Sequence, residues 1–353
     1  MNRRQALQLL AAGAASAAVG SVARAQGRPA HTGMGLVTYA LDHHRAALRR
    51  QTPPVDLADP LEFLEFCHAL GAGGVQLPLG DRDEAFARRL RAKAERYGMY
   101  VEGMADLPAD DSQRERFEAR LRLARSAGIT TARIVLLPGR RYEYFNSLDQ
   151  FRGLDARARR SLERAAPLAE KHRVRLAVEN HKTHLAAEQL ELLRRLGSPQ
   201  VGSCVDTGNN LALLEDPLEV VRTLAPTAFS VHLKDQAVRE YGAGFLLGDC
   251  PLGQGALDLK QMVAVLRQAQ PGVRFNLELI TRAPLKVPCL TEKYWAALPA
   301  GARDNLAPTL RFVRAHAAQS LPEVESLAAP DLLRRESANI AESLTYAREH
   351  LGL

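Results

Sequence analysis

The chain has 353 residues, of which 46% are hydrophobic and 25% charged, and this composition excludes a disordered or fibrous polypeptide. It allows one large domain or two medium ones. The formal charge is +7, but the arginines are spread over amphipathic stretches such as "FARRLRAKAERYG" and "FEARLRLARSAG", a solvated-face pattern that argues against a nucleic-acid partner.

The first segment, "MNRRQALQLLAAGAASAAVGSVARAQ", reads as a targeting signal. Arg3-Arg4 precede an Ala/Leu/Gly-rich run that ends at Ala23-Arg24-Ala25, giving a charged region, an apolar region and an A-x-A cleavage site. The paired arginines fit a twin-arginine signal peptide over residues 1–25, with a linker over 26–33. Cleavage would remove Arg3, Arg4 and Arg24, lowering the charge from +7 to +4. The expectation is an exported, periplasmic protein with no membrane attachment after cleavage. An uncleaved anchor is the alternative, but the run is short and weakly apolar for a span.

After residue 33, strand-like and helix-like runs alternate. The strand candidates are 34–40, 72–78, 99–105, 131–137, 174–179, 201–206, 228–233 and 273–279. Three of the helical runs between them are "DPLEFLEFCHALG", with Asp59 as N-cap, Pro60 at the first position and Gly71 as stop, then "DARARRSLERAAPLAEKH" and "DPLEVVRTLAP", which follow the same pattern. Continuous apolar strands alternating with helices imply parallel pairing. Eight such units over about 250 residues predict a (β/α)8 barrel, an α/β fold, spanning 34–290. The rival, a doubly wound open sheet, more often has a glycine-rich loop after its first strand. Here that position reads "TYALDHHRA". Residues 236–256 read as a long loop, and residues 291–353 as a helical extension packed on the barrel or over its mouth. A second domain is not expected from about sixty residues.

Four cysteines, Cys67, Cys204, Cys250 and Cys289, show no C-x-x-C spacing, which excludes a zinc knuckle. They read as free packed thiols. A Cys250–Cys289 pair is the alternative that an oxidising compartment would permit.

In a barrel, chemistry sits at the C-terminal strand ends. Strand five ends at Glu179 ("AVENH"), strand six at Asp206 ("CVDTGNN"), strand seven carries His232 ("SVHLKD") and strand eight Glu278 ("FNLELI"). Each alone reads as a salt-bridge or core residue. Together, three carboxylates at one depth would repel unless a cation joined them. Three oxygen donors and one nitrogen suit one divalent ion, Mn²⁺, Mg²⁺ or Co²⁺ ahead of Zn²⁺, with positions left for substrate.

The order Glu179, Asp206, His232, Glu278 on successive strands resembles the xylose isomerase-like TIM barrel family, of the sugar phosphate isomerase/epimerase type, over Met34 to Ile280. The resemblance implies a metal-dependent isomerase or epimerase acting on a sugar, keto-sugar or sugar acid through an enediolate. It implies Glu179 and Glu278 as paired acid/bases as well as ligands, and Asp206 and His232 as ligands only. His181 and Lys234, two residues beyond Glu179 and His232, are assigned with Asn209 to substrate oxygens. The alternative for Lys234 is a surface charge paired with Asp235. Asn209 stands where ketose epimerases and the endonuclease IV-type nucleases of this family place a histidine, which counts against both. A metal-dependent lyase on a keto-sugar or related acid, dehydrating, β-eliminating or decarboxylating, is the second reading. A catalytically silent carbohydrate-binding barrel is the third. Tyr241, Phe245, Tyr294 and Trp295 are candidates to stack on a sugar ring. The substrate expected is a small carbohydrate, and a homo-oligomer is left open.

Overall fold

Residues 31–51 and 54–353 are described by the structure, a computed structural model. The signal segment 1–25 and residues 26–30 of the linker lie outside the described residues. Each of the eight predicted apolar runs contains a strand. In chain order these are β1 (Gly35–Val37), β2 (Gly74–Pro78), β3 (Tyr100–Met104), β4 (Thr131–Ile134), β5 (Arg175–Glu179), β6 (Val201–Asp206) and β7 (Ala228–Leu233), followed by β8 (Asp235–Tyr241), β9 (Gly244–Cys250), β10 (Arg274–Leu277) and β11 (Leu285–Val287). The closed barrel has the order β1-β10-β7-β6-β5-β4-β3-β2, with every neighbouring pair parallel. With its surrounding helices this is a TIM barrel carrying a C-terminal helical extension.

The strands are apolar on the side that meets the helices. Leu36, Val75, Leu77, Val205, Val231, Leu233 and Leu277 share one buried cluster with helix residues such as Phe63, Leu90, Val221 and Leu266. Polar side chains alternate with these residues, as the two-residue period of a strand requires. Glu102 Oε2 accepts hydrogen bonds from Gln76 Nε2 (3.1 Å), Ser230 Oγ (2.6 Å) and Asn276 Nδ2 (2.9 Å), tying four strands together across the barrel interior. A Cβ at Gly74 would collide with the Tyr100 ring.

Local signals set most helix starts. Asp59 Oδ1 accepts from the amides of Leu61 (2.9 Å) and Glu62 (3.3 Å), and Pro60 opens a helix over Pro60–Ala69. Gly71 follows it at φ 87°, a conformation open to glycine. Asp216 and Pro217 repeat the start at Pro217–Leu224. The "DARARR" run departs from expectation. Its helix spans Leu148–His172, and Ser147, not Asp155, caps it through the Gln150 amide (3.1 Å). Asp155 is buried inside that helix, bound to His184 Nε2 at 2.7 Å and Arg159 Nε at 2.7 Å.

Residues 236–256, expected to form a loop, are mostly strand. β8 and β9 pair as an antiparallel hairpin, and β11 adds to β9. The reason is apolar alternation: Val238, Phe245, Leu247 and Val287 bury one face against Tyr294, Trp295 and Val313. Phe245 and Tyr294 are fully buried and Trp295 nearly so, so none of the three presents a face to a sugar; Tyr241 is half-buried. All four cysteines are buried and free. No helix among the described residues is long and apolar enough to cross a membrane.

The last helix, Ala329–His350, packs Ile340, Leu344 and Ala347 into the main core. Its buried Glu336 reaches the helix Asp42–Leu48, which follows β1. Oε1 accepts from the His43 amide (2.9 Å), and Oε2 from the His44 amide (2.9 Å), with His44 Nδ1 at 2.6 Å. Replacing Glu336 with Ala leaves these buried donors unpaired, and the expected loss is about 3 kcal/mol in denaturant unfolding.

Candidate metal centre and active site

Parallel register brings the four predicted residues to one depth. Asp206 pairs with His232, and His232 with Asn276, two residues before Glu278. Glu179, the last residue of β5, pairs with Cys204, two residues before Asp206. The Glu278 amide continues the β10 ladder by donating to Leu233 O at 3.1 Å. One ligand atom from each of Glu179, Asp206, His232 and Glu278 lies within 4.8 Å of the others, and all four residues are buried.

Their surroundings aim the ligand atoms inward. His232 Nε2 lies 2.7 Å from Gln76 Oε1, whose amide nitrogen is committed to Glu102. The Gln76 oxygen requires an imidazole proton on Nε2 and leaves Nδ1 facing the carboxylates. Burial disfavours a second proton there, but the surrounding anionic groups outweigh it and raise the ring well above the usual imidazole range, so an ion would take the place of the Nδ1 proton. That Nδ1 is buried without a hydrogen bond, 3.2 Å from Glu278 Oε2, 3.8 Å from Glu179 Oε2 and 4.0 Å from Asp206 Oδ2. Asp206 Oδ1 accepts from the amides of Gly208 (2.9 Å) and Asn209 (2.8 Å), which turns Oδ2 toward the cluster. A buried imidazole nitrogen without a hydrogen bond, facing three carboxylates, is the donor set of a hard or borderline divalent cation once its proton is displaced.

The carboxylates are not electrostatically alike. Burial pushes Asp206 up to about 7 against the opposing charge of Lys234. Burial acts the same way on Glu179, but the Arg133 guanidinium outweighs it and holds that carboxyl at about 2. Glu278 stays well below the usual carboxylate range, because Lys234 and His232 outweigh its burial.

The residues expected to contact substrate are also at the cluster. Asn209 Nδ2 donates to Glu179 Oε1 at 3.0 Å. His181 lies beside it with Nδ1 buried and without a hydrogen bond, and burial brings its ring down to about 4, so it is neutral near pH 7. Lys234 is not a surface charge. Its Nζ is 2.9 Å from Asp206 Oδ2 and 2.8 Å from Glu278 Oε2. Asp235 instead accepts amide hydrogens from Gly253, Gly255 and Leu257.

Three residues escaped the sequence reading. Arg133 on β4 forms a buried fork on Glu179 Oε2 through Nε and Nη2. Lys182 donates to Asn209 Oδ1. Gln76 orients His232. Arg133 had a signal, since an arginine inside "TARIVLL" must either face the barrel interior or disrupt its outer layer.

Metal binding is therefore expected near one equivalent of Mn²⁺ in the purified chain, measured by elemental analysis. Glu278→Gln should weaken it about tenfold or more. Because the ion must displace protons from Asp206, held at about 7, and from His232, raised above the usual imidazole range, affinity should rise as pH rises through about 7 and fall below it. Titrations across that range check the sign.

The comparisons with known proteins agree with this fold. Over 133 residues the chain is 30% identical to 3-oxo-isoapionate decarboxylase of Pectobacterium atrosepticum; the match covers 36% of this chain and 48% of that protein, so the chain spans about half the length of this relative. The solved D-psicose 3-epimerase, in the presence of D-fructose, superposes with a TM-score of 0.55 at 16% identity, covering 83% of this chain and 94% of the other. A xylose isomerase-like TIM barrel protein from Mycobacterium smegmatis in complex with magnesium gives 0.52 at 14% identity, covering 82% and 100%. A family model matches residues 64–314, and the chain belongs to the xylose isomerase-like TIM barrel family.

Proposed function

We propose that this chain is a divalent-metal-dependent lyase acting on a small keto-sugar or related acid, with Glu179, Asp206, His232 and Glu278 holding the ion. The ion, when bound, supplies Lewis-acid polarisation of a substrate carbonyl and its neighbouring hydroxyl. The observation that carries the reading is the way Glu179 is held. Arg133 on Oε2 and Asn209 on Oε1 stabilise its ionised form against burial and hold it at about 2. That suits a ligand that keeps a lone pair on each oxygen for the ion and disfavours a group that must take up a proton and give it back. Epimerisation by two glutamates needs both to exchange protons. Loss of a carboxylate or a β-leaving group needs only one acid/base beside stabilised charge. Lys234, against Glu278 and Asp206, keeps a proton at that side of the site. In the decarboxylating form the carbon–carbon bond breaks, its electron pair passes toward the carbonyl oxygen and carbon dioxide leaves. Lys234, through Glu278, then returns a proton to the carbon. The partial relative, named a decarboxylase, supports the same direction.

The isomerase or epimerase reading, which the sequence put first, becomes the second. It is favoured by the placement of Glu179 and Glu278 on different strands around one cluster.

Product mass separates the two. The Mn²⁺-loaded chain is incubated with sugars, keto-sugars and sugar acids and followed by mass spectrometry. A product lighter by carbon dioxide or water supports the lyase, whereas a rearranged product of unchanged mass overturns it in favour of the isomerase. Lys234→Met should lower kcat by about 10²-fold or more.

A further inference from the structure

Lys182 is a buried cation, 5% exposed, for which the chain supplies no carboxylate within ion-pair distance among the described residues. Its neighbours are provided for: Arg133 has Glu179, Lys234 has Asp206 and Glu278, and Arg282 has Asp249. The Lys182 ammonium meets only the amide oxygen of Asn209, which it shares with Lys234 (3.3 Å). Two ammonium groups converging on one neutral oxygen is an unfavourable arrangement unless an anion joins them. Burial, and then the charge of Lys234, bring Lys182 down to about 8, whereas Lys234, equally buried, is raised by Asp206 and Glu278.

The backbone holds Lys182 there. Its φ of 54° lies in the left-handed region, uncommon for a side-chain-bearing residue and typical of functional positions. The fully buried Arg141 fixes that conformation. Its amide donates to Lys182 O (3.0 Å) and its guanidinium to Thr183 O (3.1 Å), while Glu188 and Ala297 O anchor the guanidinium. Charge balance points the same way. Glu179, Asp206 and Glu278 are matched by Arg133, Lys234 and Lys182, so a divalent ion leaves a buried excess of two positive charges. A neutral sugar does not relieve that excess; a carboxylate, together with charge developing on a carbonyl oxygen, does.

We propose that Lys182 anchors the carboxylate of the substrate, and that the substrate is a small polyhydroxy acid, not a neutral sugar or a sugar phosphate. The inference rests on the functional reading above only in placing substrate at this cluster.

The test is calorimetric binding of D-ribonate, ribitol and ribitol 5-phosphate to the Mn²⁺-loaded wild type and to Lys182→Met, with Mn²⁺ binding measured separately in both. Wild type should prefer ribonate to ribitol by about tenfold or more. Lys182→Met should lose that preference while keeping its affinity for Mn²⁺ and ribitol. Equal affinity for acid and polyol, a preference for the phosphate, a preference that survives in Lys182→Met, or no ribonate binding each overturns the proposal. Absence of Mn²⁺ binding would instead sink the metal-dependent reading, and the acid preference would then be read on the metal-free chain. Thermal unfolding of the Mn²⁺-loaded, acid-free proteins gives an independent readout. If Lys182 serves a ligand, Lys182→Met melts at the same or a higher temperature with the ion bound, because part of the excess positive charge is gone. A lower melting temperature assigns Lys182 to structure and overturns the proposal.

Discussion

Three carboxylates held within a few ångströms of each other and out of water cannot stand without positive charge. Glu179, Asp206 and Glu278 are in that position, and much of the surrounding structure answers to it. Arg133 is buried in a strand because Glu179 needs a counter-charge, and Lys234 is drawn off the surface by Asp206 and Glu278. Burial disfavours charge on His232, but the anionic groups around it outweigh that, so its ring holds a proton that a bound ion would displace to take the Nδ1 lone pair. The same requirement explains why the site is assembled from four separate strands. Adjacent residues on one strand point to opposite faces, so convergence at a single point needs neighbouring strands in register.

The barrel interior supports this arrangement from below. Glu102 gathers donors from three other strands, and one of these, Gln76, hands its remaining oxygen to His232. A polar network of this kind is costly if any member lacks a partner, so its members constrain one another's rotamers. The imidazole is thereby fixed in orientation, with its Nε2 proton committed to Gln76, by residues outside the four-residue cluster. Such support from outside the ligand set commonly decides how well a metal site binds.

The fold was legible because its signals are local. Strand runs, Asp-Pro helix starts and a glycine stop are written into adjacent residues, and parallel alternation orders them. The four clustered residues were legible for the same reason: each ends or nearly ends a strand, and barrel geometry converts that position into depth. Arg133, Lys182 and Gln76 were not, because their roles depend on which residues face them across the barrel. Lys182 follows a strand end by three residues, and only the left-handed turn brings it back to the site. The β8–β9 hairpin was hidden by its glycines, which read as loop until Val238, Phe245 and Leu247 are seen burying one face. Asp155 misled because a capping residue and a buried histidine partner look alike in sequence. Ser147 lies eight residues earlier and competes for the same role.

The clasp between Glu336 and the His43–His44 turn joins positions 293 residues apart. Contacts of such long sequence separation carry the largest loop-closure entropy and tend to form late. The first βα connection, next to the barrel's β1–β10 seam, is thus completed by the helix at 329–350 and not by its neighbours in sequence. Order of synthesis and order of consolidation then run in opposite directions at this point. A nascent chain can hold all eight barrel strands while the loop after its first strand still waits for its anchor.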